Sequence, residues 1–366
     1  MAATMLPGLV VAVLLVGAVL CAALPVRPRA VALLGLATGV ISGALLLWLA
    51  VSVWTGGPVA ATWLDRLPLA LPSAVSVRVD ALSAIFLVLL AVVPAAVLLF
   101  AQGYLDGRPA GPTRRFYGLF LLLVGAMAVV VMAADWVLFL FAWEIMTLAS
   151  YFLVIWDWGE ERNARSAWVY LLTTHVASSG MLIAMCSLSV IAGDFSFAAT
   201  AAALTGLFAR LPAFAHLLVG CFVLGFITKA AVWPFSFWLP EAYRSAPMPA
   251  TAVYSGLMAK MGIYGLVRVL IGMLPAGGQP ALIWGLIVAT LGTASMLVGN
   301  IRSLSELDAK RLVAQSSIGQ IGYIVLGVGM AAALSGRAPL LAAVAFAGAL
   351  YHLINHATFK PLLFLT

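Results

Sequence analysis

The sequence predicts an all-α polytopic membrane protein with about 11 transmembrane helices. Three observations lead to this fold class. Hydrophobic side chains make up 64% of the 366 residues, charged side chains make up only 8%, and the mean hydropathy is +1.14. A soluble core cannot hide that much apolar surface. We therefore expect the lipid bilayer to be the main surroundings of the chain.

Apolar runs of ~20 residues, the length that crosses a bilayer as a helix, define each predicted span. The first run has no basic segment before it and no obvious cleavage site, so we interpret it as a retained helix rather than a signal peptide. In chain order the spans lie near residues 5–23, 30–54, 79–101, 116–133, 136–156, 166–192, 212–238, 247–272, 281–300, 312–332 and 339–365.

The positions of lysine and arginine predict the orientation, because basic residues in short loops stay on the cytoplasmic side. With the N-terminus outside, eleven basic side chains fall in cytoplasmic loops and five fall outside, namely Arg66, Arg78, Arg210, Arg268 and Arg337. We predict a protein of the cytoplasmic (inner) membrane with its N-terminus outside. Since the basic residues are scattered over separate loops, nucleic acid is not an expected partner.

No motif for a cofactor or a metal stands out. Cys21, Cys186 and Cys221 lie singly in different apolar spans, without the spacing of an iron–sulfur or structural zinc site. No glycine-rich phosphate loop is present. We expect no cofactor, and we expect the energy for any transport to come from an ion gradient or a partner subunit.

Lys229 and Pro234 predict a broken helix. Lys229 lies near the middle of an apolar run from Leu211 to Pro240 that has no other Lys, Arg, Asp or Glu. A charged side chain at this depth is costly unless it is paired, hydrated or neutral. Proline removes a backbone hydrogen bond and tends to break a helix. Broken helices that carry buried charge are typical of transporters.

Glu144, Lys229 and Lys260 are isolated charges within predicted spans. Burial lowers the proton affinity of a lysine in general, and a nearby carboxylate restores it. A glutamate that approaches and leaves Lys229 would switch that lysine between holding and releasing a proton, and Lys260 would be the next carrier. The alternative is a static Glu–Lys pair that only joins two helices. Tyr264 and Arg268 follow Lys260 at four-residue spacing and share its helix face.

Histidines supply two further candidate relays. His175 lies in the sixth span beside Ser179, and its alternative role is an interhelical hydrogen bond. In the last span His352, His356 and Lys360 recur every four residues on one face. A metal site is the alternative there, but no carboxylate is near in sequence. Lys310 lies at the mouth of the tenth span beside Glu306 and Asp308.

Four segments carry a resemblance to a known family. They are FAWEIMTLASYFLV, FITKAAVWPFSFWLPEAYRSAPMPATAVYSGLMAKMGIYGLVRV, ELDAKRLVAQSSIGQIGYIVLG and LYHLINHATFKPLLFL. These resemble the antiporter-like subunits of respiratory complex I, Mrp-type antiporters and membrane-bound hydrogenases, from about residue 113 onward. Within this family the chain most resembles the large membrane subunit of hydrogenase-4 and formate hydrogenlyase.

The resemblance implies about fourteen helices built around two inverted repeats, each with a broken helix. On this basis 1–112 are N-terminal helices, 113–272 the first repeat, and 281–366 part of a second repeat that is cut short. We expect a fragment of a longer protein, and the alternative is a shortened protein whose outward exit comes from another chain. Glu144 corresponds to the family's modulating glutamate, Lys229 to the lysine beside the break, and Lys260 to the central lysine. The connecting residues correspond to Lys310, His352, His356 and Lys360.

The resemblance also implies a function. We predict proton translocation by a membrane subunit without a redox centre of its own, in a complex of hydrogenase or NADH:quinone oxidoreductase type with other membrane subunits. One alternative is a subunit of an Mrp-type sodium–proton antiporter, since sodium remains a possible coupling ion. The other is a membrane-anchoring subunit that does not conduct.

Overall fold

The structure is a computed structural model that describes residues 3–25, 27–64, 74–156 and 160–366, and most of these are helical. Arg66, one of the basic residues assigned to the outside, lies beyond the described residues. Ten helices in the described part are long and apolar enough to cross a membrane. This confirms the polytopic all-α class.

The elements follow the predicted spans closely. A 3₁₀ turn at Ala3–Met5 precedes them. In chain order they are α1 (Leu6–Ala23), α2 (Pro28–Gly56), β1 (Val59–Leu64), β2 (Val75–Val79), α3 (Ala81–Tyr104), α4 (Ala110–Met132), α5 (Trp136–Val154), α6 (Glu161–Ala192), α7 (Phe197–Arg210), α8 (Pro212–Lys229), α9 (Leu239–Ser245), α10 (Met248–Val253), α11 (Ala259–Leu270), α12 (Gln279–Leu304), α13 (Ala309–Leu334) and α14 (Pro339–Leu365).

About eleven spans were predicted, whereas ten helices in the described part are long enough to cross a membrane. The predicted span at 247–272 accounts for the difference. It consists of α10 and α11 joined by a π-helical turn at Tyr254–Met258, so no single α-helix there reaches the length of a crossing. The pieces nevertheless form continuous helical structure over 248–270. Such π turns are rare, and they occur frequently at functional sites.

The strand pair and the short helix α7 were not predicted. β1 and β2 pair antiparallel, with Val59 opposite Val79 and Ala61 opposite Val77. The short helix α7 lies between two spans, and the Ser196 hydroxyl caps it by accepting a hydrogen bond from Ala199 N at 3.3 Å. Both elements fall outside the runs of ~20 apolar residues by which the spans were identified.

Asp135 joins the strand pair to α5. Its Oδ1 accepts a hydrogen bond from Leu138 N at 2.8 Å, which caps the helix. Its Oδ2 accepts one from Ser76 N, also at 2.8 Å. Burial raises the pKa of this carboxyl, and the hydrogen bonds from Leu138 and Ser76 oppose the rise.

The chain divides into two compact units. The first comprises Met1–Leu171, Ser245–Leu257 and Pro361–Thr366, and the second comprises Leu172–Arg244 and Met258–Lys360. This division is distinct from the predicted repeats, whose boundaries stay predictions. The first unit holds α1 to α5, and the second holds α7 to α9 and α11 to α13.

Glycines bring α12 and α13 together in the second unit. A Cβ added at Gly292 would lie 2.5 Å from Leu326 N, and one at Gly285 would lie 2.5 Å from Ala333 N. Real side chains do not tolerate such distances, so these backbones are in direct contact. Close approach through small residues is a usual way for helices to associate in a membrane.

Candidate functional site

The predicted break in the membrane-spanning chain begins at Lys229, the last residue of α8. The chain then turns through Pro234 before α9 begins at Leu239. Ala231 adopts φ 58°, a left-handed conformation that L-residues seldom take. The Lys229 side chain is 1% exposed. The break near Lys229 and Pro234 is therefore confirmed.

Side chains supply hydrogen bonds to the backbone around this break. Trp233 N donates to Ser295 Oγ of α12 at 3.1 Å, and Ser295 Oγ donates to Ile318 O of α13 at 3.3 Å. Trp238 Nε1 donates to Thr228 O, in the last turn of α8, at 3.0 Å. Irregular backbone at membrane depth requires such partners because lipid offers none.

Lys229 and Lys260 lie on backbones that touch. A Cβ added at Gly262 of α11 would lie 2.5 Å from Phe226 O and 2.7 Å from Ala230 N. Gly262 follows Lys260 by two residues, and Ala230 directly follows Lys229. Only a glycine allows this approach without displacing backbone. The Lys260 side chain is fully buried.

Lys260 and His356 are joined directly. Lys260 Nζ in α11 is hydrogen-bonded to Nδ1 of His356 in α14, and both side chains are 0% exposed. Two basic nitrogens can share a hydrogen bond only if one of them carries a proton and the other offers a lone pair. The arrangement therefore contains a proton donor and a proton acceptor in contact.

His352 and Lys360 lie on the same face of α14 as His356, one turn before it and one turn after it. The His352 and His356 rings lie 6.3 Å apart between centroids, and the Tyr323 ring meets His352 edge to face at 5.7 Å. Lys360 Nζ donates to Ser316 Oγ at 2.6 Å and to Val313 O at 3.2 Å. Nε2 of His352 and Nε2 of His356 are buried and have no hydrogen-bond partner among the described residues.

Lys310 lies in the first turn of α13, and its Nζ donates to Arg244 O at 3.4 Å. Ion pairs surround it. Arg244 Nε lies 2.9 Å from Asp308 Oδ2. Arg311 pairs with two carboxylates, through Nη1 at 3.2 Å from Glu241 Oε1 and through Nη2 at 3.0 Å from Glu306 Oε1. These ion pairs hold α9 to the start of α13.

The remaining predicted residues are placed as follows. Tyr264 is fully buried, and the Arg268 guanidinium lies 4.8 Å from its ring centroid. His175 is half-buried in α6, and its carbonyl accepts a hydrogen bond from Ser179 Oγ at 2.9 Å. Glu144 is half-buried in α5 of the first unit. Lys229 belongs to the second unit, so the pairing of Glu144 with Lys229 stays a prediction.

The described residues contain no group of three or more His, Cys, Asp or Glu side chains arranged to hold a metal ion. The site in the second unit is a set of nitrogen bases. Lys229, Lys260, His356 and Lys360 are buried, and His352 is half-buried.

The chain matches a family of known membrane proteins. Residues 133–366 match the family described as NADH:quinone oxidoreductase/Mrp antiporter, transmembrane. The chain belongs to this family. Hydrogenase-4 component B of Escherichia coli (strain K12) is 35% identical over 297 residues, which is 79% of this chain and 42% of that protein.

Two solved structures share the fold of these antiporter-like proteins. The membrane-bound sulfane sulfur reductase, an archaeal respiratory membrane complex, gives a TM-score of 0.81 at 26% identity, over 97% of this chain and 55% of the other. The Mrp complex from Dietzia sp. DQ12-45-1b gives a TM-score of 0.80 at 28% identity. The match covers 98% of this chain and 37% of the other. The chain thus spans about half or less of the length of these relatives.

Sequence reasoning missed several residues that support the site in this antiporter-like chain. Gly262 lies in a segment that carries the family resemblance but was not singled out, and Ser295 has no pattern that separates it from other small residues in apolar helices. Ser316, which accepts from Lys360, is equally inconspicuous. Arg244 and Glu241 carry charges close to the broken helix, and that position was a usable signal for their ion pairs.

Proposed function

We propose that this chain translocates protons across the cytoplasmic (inner) membrane as a subunit of a redox-driven complex, with its N-terminus outside. The observation that carries the proposal is the buried hydrogen bond between Lys260 Nζ and His356 Nδ1. A bond that only joined two helices would not need two titratable bases. A bond along which a proton moves does need them.

The elementary step is a transfer between these two nitrogens. The Nζ–H bond of a protonated Lys260 breaks as an Nδ1–H bond forms on His356, which leaves a neutral amine and an imidazolium. The imidazolium can then release a proton from its buried Nε2. His352 is the nearest titratable ring on the same helix, at 6.3 Å between centroids, and one water molecule can bridge such a gap.

The other predicted residues extend this path. Lys229 would pass its proton to Lys260, and the contact between α8 and α11 at Gly262 supports this order. Glu144 would set the proton affinity of Lys229 by approaching it and withdrawing. Lys360 and Lys310 would connect the path further along α13. His175 and Tyr264 are possible additional relay groups.

The energy source would be a partner. The sequence has no motif for a redox centre, so other membrane subunits of a hydrogenase or NADH:quinone oxidoreductase type of complex would supply the driving reaction. Two relatives support this assignment by their names, a hydrogenase-4 component and a respiratory membrane complex. The chain would then be a translocating subunit rather than an enzyme by itself.

A sodium–proton antiporter subunit is the second candidate. The likeness to the Mrp complex, with a TM-score of 0.80, favours it. Sodium prefers several oxygen ligands, whereas the buried site consists of nitrogen bases. We therefore place the proton function first.

The test is proton flux in proteoliposomes that contain the whole assembled complex. Lys260→Arg keeps the positive charge, but arginine does not release a proton at accessible pH. We expect flux to fall by at least ~100-fold, the usual contribution of a positioned acid–base group. Arg337→Gln, at an exposed loop, is the matched control and should leave flux unchanged. Normal proton flux in Lys260→Arg would exclude the relay and favour an anchoring subunit. Proton flux that requires sodium in the natural protein would favour the antiporter.

A further inference from the structure

An apolar groove in the first unit lies apart from the buried bases. It has a volume of about 380 Å³, and α1, α4 and α5 form its walls. Leu15 and Ala22 line it from α1, Leu122 from α4, and Phe152 from α5. It is partly open, since Leu15 and Phe152 remain 43% and 41% exposed. Its size falls within the range of ~300–1,000 Å³ typical of ligand pockets.

One end of the groove is basic. Arg115 is the charged residue among those that line it. Arg114, next in sequence, donates from Nη1 to Leu24 O at the end of α1, at 3.5 Å. The Arg108 guanidinium lies 5.6 Å from the ring centroid of Trp156, which also lines the groove. Three arginines therefore lie at the end where α1 ends and α4 begins.

In the sequence, the segments at this end carry seven basic residues (Arg27, Arg29, Arg108, Arg114, Arg115, Arg162 and Arg165) and four acidic residues (Asp106, Asp157, Glu160 and Glu161), so the net charge is positive. Asp106 lies 3.5 Å from Arg29 in an exposed ion pair. Glu160 and Glu161 lie at the start of α6, where Arg162 and Arg165 follow them. Trp156 Nε1 donates to Pro112 O at 3.1 Å. Tryptophan and arginine together are typical of the boundary between hydrocarbon and headgroups.

We propose that this groove binds an anionic phospholipid, with an acyl chain along α1 and α4 and the phosphate at Arg115, Arg114 and Arg108. Basic pockets between transmembrane helices on the cytoplasmic side are a recognised way to bind acidic headgroups. The predicted orientation puts these arginines on that side. The site does not involve Lys260 or His356, so it is independent of the proposed proton path.

The dimensions favour an acyl chain over a helix from a partner. The lining runs from Leu15 to Ala22 on α1 and from Arg115 to Leu122 on α4. Each stretch rises ~10 Å, whereas a helix is 10–12 Å in diameter and a crossing helix extends for about 30 Å. The groove thus covers only the part of the bilayer next to the headgroups, and it ends in a cationic group that suits a phosphate.

The experiment measures lipid retention by the purified full chain. The protein is delipidated in detergent and mixed with equal amounts of phosphatidylglycerol and phosphatidylcholine, and bound lipid is counted by native mass spectrometry. We expect phosphatidylglycerol to be retained preferentially. Arg115→Gln should reduce that preference about tenfold, as expected for one charged hydrogen bond. Arg78→Gln removes an exposed arginine from β2 and should have no effect.

Two further measurements locate the lipid. Ala22→Phe places a ring in the groove at an exposed position and should lower retention of both lipids, while thermal unfolding checks that the variant is folded. A photoactivatable phosphatidylglycerol should crosslink to peptides that contain Leu15, Leu122 or Phe152. Equal retention of the two lipids, an unchanged preference in Arg115→Gln, crosslinks confined to other helices, or a co-purifying protein that protects the groove would each overturn the proposal.

Discussion

Lys260 and His356 are hydrogen-bonded through Nζ and Nδ1, although 96 positions separate them in the sequence. Both side chains are buried, and each belongs to a different helix of the second unit. The proposed proton transfer between them would require no movement of the backbone. This contact makes the second unit the centre of the proposed transfer path.

The first prediction tests whether the two residues act as one unit. His356→Gln keeps hydrogen-bonding capacity but removes the titratable ring, so proton flux in proteoliposomes should fall about as far as in Lys260→Arg. Because residues that act together are strongly non-additive, the double variant should be no slower than either single variant. Effects that multiply in the double variant would mean that the two residues work independently.

The second prediction concerns the contact between α8 and α11. Gly262→Val introduces a Cβ that would lie 2.5 Å from Phe226 O, so the two backbones must separate. We expect loss of flux and a lower unfolding temperature, with overpacking costing ~1–3 kcal/mol. Gly206→Val in α7 is the control, because a Cβ there has nothing within 4 Å. Full flux in Gly262→Val would show that transfer does not depend on this approach.

The third prediction concerns the break after α8. Ser295→Ala removes the acceptor for Trp233 N, and a buried donor without a partner costs about 1–3 kcal/mol. Thr293→Val removes a hydroxyl but keeps the side-chain size, and it is the control on the same helix, because among the described residues Thr293 Oγ1 donates to Ala289 O within α12, at 3.0 Å. Thermal unfolding should show a larger loss for Ser295→Ala. Equal losses would mean that Ser295 does not anchor the break.

The fourth prediction concerns pH and Asp135. Burial raises the pKa of this carboxyl above its ordinary value of 3.8, so the folded state binds the proton more tightly than the unfolded chain. The stability gained from protonation is fully present below the unfolded pKa and is lost as pH rises through the folded pKa. The unfolding temperature of the natural protein minus that of Asp135→Asn should therefore fall from acid to neutral pH.

Asp135→Asn serves as the reference because it does not titrate, and other carboxyls contribute equally to both proteins. The substitution also removes one hydrogen bond. The amide oxygen of asparagine can still accept from Leu138 N, but its NH₂ group would then face Ser76 N, which is itself a donor. This adds a constant offset that does not vary with pH. A difference that stays flat across the range would show that the carboxyl keeps its ordinary pKa.

Much of the fold followed from composition and periodicity. Long apolar runs predicted the spans, and ten of them contain a helix that is long and apolar enough to cross a membrane. The break at Lys229 followed from a charge and a proline in one run, because both disfavour an intact helix in lipid. The span at 247–272 differed in detail, since its π turn has no signal in hydropathy. The strands and α7 were missed because they are too short to span.

The sequence by itself determined which residues share a helix face. His352, His356 and Lys360 were predicted as one stripe because an α-helix repeats every 3.6 residues. Which helices meet that stripe was decided only by tertiary structure. His356 contacts Lys260 of α11, and Lys360 contacts Ser316 and Val313 of α13, where a Cβ added at Gly327 of α13 would lie 3.0 Å from Ala345 O of α14. Local periodicity carries no information about contacts between distant segments, so the pairing of Lys260 with His356 depended on packing.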